Sequence, residues 1–137
     1  MKKLCVLPVI AMIIIMPVLD CFAQSNEVQT MALQGEWLIT RIQIGHEITI
    51  LSEPPFSDMM EMSFVFEGNN YQQQRKIPNF GIIEITERGV FRIVSDEMII
   101  IRDDGVNQSF FYNIQEGNLT MRMTIEDIEI IMTSRKR

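Results

Sequence analysis

The sequence predicts an all-β protein: a single antiparallel up-and-down barrel of about eight strands, preceded by a short N-terminal helical turn. Three observations predict this class. Apolar and polar residues alternate with a period of two through most of the chain after residue 35. Turn signals built on Gly and Asn separate these runs, and no helical period interrupts them. A meander this long is expected to close, because closure removes the exposed strand edges.

The first 23 residues have the composition of a secretory signal peptide. Two lysines precede an apolar run that ends at Leu19, and small residues at Cys21 and Ala23 suit cleavage before Gln24. The sequence therefore predicts a signal peptide over residues 1–23 and an exported domain over 24–137. The expected location is the periplasm or the medium of a bacterial cell.

Two alternatives to cleavage stay open. Cys21 is the residue that would be lipidated in a bacterial lipoprotein, although Asp20 is charged where the usual pattern has a small residue. An uncleaved anchor is the other alternative, but the apolar run is shorter than a spanning helix needs and contains two prolines.

Charge and cysteine content exclude some classes of function. The formal net charge is −6 at pH 7, and no basic stripe precedes the terminal Arg-Lys-Arg, so we expect no nucleic-acid partner. Both cysteines lie in the predicted leader, so the processed domain has no disulfide and must be stabilised by its core.

The elements follow from alternation and turn residues. A polar lead-in over 24–34 contains a weak helical stripe. The longest irregular connection is predicted over 45–58, where Pro54 and Pro55 prevent ladder pairing. Strands are predicted over residues 36–44, 59–67, 70–77, 80–86, 89–94, 97–102, 106–115, 118–125 and 128–134.

The first predicted strand carries a family resemblance. Gly35, Glu36 and Trp37 form a Gly-x-Trp sequence after the helical lead-in, which resembles the signature of lipocalins and the wider calycin superfamily. Phrases such as "MSFVFEGNNY" and "YNIQEGNLTM" look like those of small lipocalin-like domains of exported bacterial proteins. The resemblance implies that Trp37 closes the narrow end of the barrel, and that Arg135, or less favourably Arg137, stacks on its ring.

The inward faces of the predicted strands provide the candidate ligand site. Flexible methionines suit either a cavity that adapts to apolar ligands or gap-filling in a closed core, and the sequence leaves both open. An inward arginine requires a partner, for which an anionic ligand and a carboxylate such as Glu84 serve equally well. Arg41 is expected to point outward. The lumen candidates are Met60, Met62, Phe64, Arg75, Phe110, Tyr112, Met121 and Met123.

Catalytic residues are not apparent. His46 is the sole histidine, it lies in a polar loop, and no nucleophile elbow or metal-ligand spacing occurs. We therefore expect no enzyme activity, no cofactor and no metal. The favoured function is binding of a small hydrophobic ligand by a monomer that does not stay in the membrane. The alternative is a filled barrel that binds protein or glycan through loops such as "ILSEPPFS".

Overall fold

The computed structural model describes residues 27–137, so the predicted leader and its cleavage site lie outside the described part. Residues 27–33 form helix α1, and a short helix α2 spans Phe56–Met59. Neither helix is long and apolar enough to cross a membrane. The strands are β1 (Gly35–Ile44), β2 (Glu47–Ile50), β3 (Glu61–Glu67), β4 (Asn70–Ile77), β5 (Ile82–Val94), β6 (Glu97–Arg102), β7 (Asn107–Gln115), β8 (Asn118–Ile125) and β9 (Ile128–Lys136).

The strands form a closed antiparallel barrel, as predicted. Neighbours along the chain pair from β3 to β9, and β1 closes the ring by pairing with both β9 and β3. Eight strands thus belong to the barrel. The ninth, β2, pairs with the second half of β1 on the side where β3 has already diverged. Closure leaves few free edges, and it is the architecture that the calycin resemblance implied.

Two sequence predictions require correction. Strand β2 and most of helix α2 lie in the segment 45–58, which was expected to be irregular. The segments 80–86 and 89–94 were predicted as two strands, but Ile82–Val94 is one long strand, β5, and the break implied between them does not occur.

Gly89 was interpreted as a turn residue, but it has a different structural role. Its φ lies outside the positive range, and a Cβ built on it would lie 2.2 Å from the carbonyl oxygen of Ile101 in β6. The glycine is needed for close approach of two backbones and not for a reversal. Nearby, Thr86 is an extra residue in β5, forming a bulge where the register with β4 shifts.

The core fills one half of the barrel. Strand alternation sends large apolar side chains inward, and four aromatic rings from three neighbouring strands pack with centroid separations of 4.9–6.4 Å. These separations are normal for tilted and edge-to-face pairs, which contribute beyond simple burial. The four rings belong to Phe64, Phe66, Tyr71 and Phe91.

Candidate ligand-binding site

Different helices, turns and loops lie at the two ends of the barrel. The end where β1 begins is covered by α1 and carries the turns at 68–69, 95–96 and 116–117. The opposite end carries the turns at 45–46, 78–81, 103–106 and 126–127 and the loop at 51–60. We call the first the closed end and the second the open end.

Trp37 seals the closed end. Its side chain is 1% exposed, and its indole N–H donates a hydrogen bond of 2.7 Å to the carbonyl oxygen of Leu33 in α1. Leu33 is itself fully buried, so the helix and the ring close this end together. Gly35 lies two residues before Trp37 and has a φ of +114°, a backbone conformation that residues other than glycine rarely adopt.

The cation over the Trp37 ring is Lys136, whose Nζ lies 5.5 Å from the ring centroid. Arg135 was predicted for this position, but it is exposed and pairs in register with Leu38, while Lys136 is directly opposite Trp37. Alternation puts these neighbours of β9 on opposite faces, which accounts for the error.

Arg137, the weaker candidate, also does not stack on Trp37. Its guanidinium forms salt bridges of 3.0 Å with Glu36 and 3.1 Å with Glu61. The hydrogen bond to Glu36 raises the pKa of Arg137, so it remains a cation. It joins strands β1 and β3 on the outer surface.

Three of the predicted lumen residues lie in the packed half of the barrel. Phe64, Phe110 and Met121 are 2%, 4% and 0% exposed, respectively. They fill the interior and belong to one cluster with the Trp37 layer. Their packing leaves them no solvent-facing surface for a ligand.

Tyr112 has a different role near the closed end. Its hydroxyl donates a 2.6 Å hydrogen bond to Oε1 of Gln29 in α1. Burial, helped by the charge of Asp96, raises the pKa of Tyr112 and keeps the hydroxyl protonated. This hydrogen bond connects α1 to β7, and it shows that the Tyr112 side chain lies near the closed end.

Above the packed half, one side of the interior is apolar and half-exposed. These side chains continue the inward rows of β1, β3, β8 and β9 toward the open end, where solvent reaches them. We call this the apolar wall. It consists of Ile42, Met60, Met62, Met123 and Met132.

A bulge in β1 decides which residue joins this wall. The register with β9 shifts between Ile39 and Arg41, so Thr40 is the extra residue. After the bulge Ile42 points inward opposite Met132, whereas Arg41 is exposed and hydrogen bonds to Gln43. The prediction that Arg41 faces outward is confirmed.

The other side of the half-exposed interior is polar. Arg75 forms an ion pair with Glu84 across β4 and β5, and Arg102 at the end of β6 forms ion pairs with Glu87 and Asp104. Alternation places Gln73 on the same face as Arg75, directly opposite Glu87. We call this the polar wall. It consists of Gln73, Arg75, Glu84, Glu87 and Arg102.

Tyr71 forms the floor beneath the polar wall. The residue is 3% exposed, and its hydroxyl donates a 3.4 Å hydrogen bond to Oε1 of Gln73. Burial raises the pKa of Tyr71, and the nearby carboxylate of Glu87 raises it further. The hydroxyl is therefore neutral, and it marks the boundary between packed core and polar wall.

Sequence reasoning found part of this site and missed the rest. Met60, Met62, Arg75 and Met123 were candidates, and the structure brings them together at the open end. Glu87 was not among the candidates because it lies between two strands that the sequence predicted as separate. Arg102 shares the parity of the buried Met98 and Ile100, so the alternation of β6 carried a signal that would have found it.

Within residues 27–137, no group of three or more His, Cys, Asp or Glu side chains is arranged to hold a metal ion. His46 is exposed in the turn between β1 and β2. The arrangement is suited to holding a molecule with apolar and polar parts.

A solved structure of similar architecture supports the fold. A crystal structure of an uncharacterized protein from Bacteroides eggerthii DSM 20697 has a TM-score of 0.54 at 12% identity, over 74% of this chain and 98% of that one. Wild-type fluorescent protein UnaG gives 0.44 at 12% identity over 79% and 99%. A mutant of the REP1 fatty acid transporter gives 0.45 at 8% over 78% and 99%. No protein-family profile and no curated protein matches the chain.

Proposed function

We propose that this protein is an exported, lipocalin-like binding protein that holds one small hydrophobic ligand between the apolar and polar walls. We further propose that it acts as a monomer without enzyme activity. The ligand would enter at the open end and lie above the packed side chains, against the apolar wall. Burial of its apolar surface would supply the binding energy, at about 25 cal/mol per Å².

One observation carries this proposal: a single inward row changes from buried to half-exposed along its length. In β8, Leu119 and Met121 are both 0% exposed, whereas Met123 on the same face is accessible. The same change occurs in β3 between Phe64 and Met62. We infer that, on the side formed by β3 and β8, the interior has the shape of a cup that is filled below and accessible above.

The alternative of a filled barrel that works through its loops fits this pattern less well. A filled interior would bury the upper methionines as thoroughly as Met121, because protein interiors are close-packed. Methionines that remain accessible above a packed layer offer an adaptable apolar surface.

We expect a neutral apolar probe to perturb the upper methionines specifically. The measurement is a methyl NMR titration of ¹³C-methyl-methionine protein with N-phenyl-1-naphthylamine, whose rings shift nearby methyl signals. The signals of Met60, Met62, Met123 and Met132 should move together and saturate at one probe per chain.

Two exposed methionines serve as internal controls. Met31 in α1 is 72% exposed at the closed end, and Met59 in α2 is 64% exposed. Saturable shifts confined to these two, or no shifts at all, would overturn the proposed function.

A further inference from the structure

The polar wall contains charges of both signs in equal number. Arg75 is matched by Glu84, and Arg102 by Glu87, with Asp104 as an additional partner at the turn. A guanidinium that already contacts carboxylates has less to offer a second anion. The wall is therefore poorly suited to the head group of a fatty acid.

Two buried atoms of the wall remain without a hydrogen-bond partner among the described residues. They are Nε of Arg75, whose N–H is a donor, and Oε1 of Glu87, an acceptor. Arg75 and Glu87 are diagonal neighbours across the β4–β5 pair, since Gln73 is opposite Glu87 and Arg75 is opposite Glu84. The wall thus offers one donor and one acceptor side by side.

The entrance also disfavours anions. Turns and loops of the open end carry acidic residues on several sides, with few bases among them. Such a rim repels an approaching anion and leaves a neutral molecule unaffected. The acidic residues of these turns and loops are Glu53, Asp58, Asp103, Asp104, Glu126 and Asp127, and Glu47 and Glu129 lie beside the turns in β2 and β9.

We propose that the cup selects a neutral amphiphile, whose uncharged polar end accepts a hydrogen bond from Arg75 Nε and donates one to Glu87 Oε1. A hydroxyl or a primary amide has both capacities, whereas a carboxylate lacks the donor and adds a charge. The tail would lie along the apolar wall, against Met62 and Met123. This assignment rests on the proposed function, because it concerns the same cup.

The test compares head groups on one tail. Dodecanol, dodecanamide, dodecylamine and dodecanoate are used to displace N-phenyl-1-naphthylamine from the protein at pH 7. We expect the alcohol and the amide to bind at least about tenfold more tightly than the carboxylate and the amine, the equivalent of about one good hydrogen bond.

The outcomes separate the two proposals. Equal or tighter binding of dodecanoate or dodecylamine would overturn the neutral head group while leaving the cup intact. Failure of the probe and of every dodecyl compound to bind would overturn the proposed function itself.

A variant makes the charge argument specific. Glu87→Gln removes one negative charge from the wall and leaves Arg102 paired with Asp104, so repulsion of an anion falls and the affinity for dodecanoate relative to dodecanol should rise by about tenfold. Glu67→Gln is the matched control, because it removes the same charge at the closed end and should leave the ratio unchanged. An unchanged ratio in a folded Glu87→Gln protein would contradict the assignment.

Discussion

Replacing Trp37 with alanine is expected to destabilise the protein by about 3–5 kcal/mol, a large share of the 5–15 kcal/mol typical of a domain. The ring is 1% exposed, so its removal leaves a cavity at the closed end. The same change deprives the carbonyl of Leu33 of its donor and removes the surface beneath Lys136. Urea unfolding followed by circular dichroism measures the loss.

Two further variants identify the cause. Trp37→Phe keeps most of the volume and loses the hydrogen bond, so it should cost about 1–3 kcal/mol. Phe80→Ala removes an aromatic ring that is 75% exposed, and it should stay within about 0.5 kcal/mol of the wild type. If Trp37→Ala were as stable as Phe80→Ala, Trp37 would not close the barrel.

Replacing Gly89 with alanine is expected to cost about 1–3 kcal/mol or more, because the new methyl group overpacks the contact between β5 and β6. Its Cβ would lie 2.2 Å from the carbonyl oxygen of Ile101 and 2.8 Å from Cα of Arg102. Both are backbone atoms, so relief requires the strands to separate. Thermal and urea unfolding give the cost.

Gly117→Ala provides the matched control for this prediction. Gly117 has φ +78°, and no atom lies within 4 Å of the position of its Cβ. The substitution should therefore cost only the backbone strain, about 1–2 kcal/mol. A Gly89→Ala protein that is more stable than Gly117→Ala would contradict the close approach of β5 and β6.

The fold was predictable because its cause is local and repeated. Alternation in segments such as 60–67 and 119–126 fixes strand faces, and the turns between strands fix antiparallel neighbours. What could not be predicted were the local departures from that pattern. The bulge at Thr40 reverses the phase of β1, and the glycine at position 89 permits close approach where it was interpreted as a turn signal.

The candidate site was predictable only in part, for a related reason. The alternation of residues identifies which side chains point inward, and Phe110, Met121 and Met123 all do. It does not show that Phe110 and Met121 are buried whereas Met123 is accessible to solvent. The distinction depends on which layers the packed rings fill. The cation on Trp37 likewise depended on the exact register of β9, where one residue separates Arg135 from Lys136.

The most direct test of the cup is to block it from one side. Met123 faces the interior and Thr124 faces outward, so Met123→Trp fills the cup and Thr124→Trp adds the same group outside. Binding of N-phenyl-1-naphthylamine is titrated by fluorescence for both variants, after circular dichroism confirms that each is folded. We expect Thr124→Trp to bind within about twofold of the wild type and Met123→Trp at least about tenfold more weakly. Wild-type affinity in a folded Met123→Trp protein would show that the probe binds elsewhere and would contradict the cup.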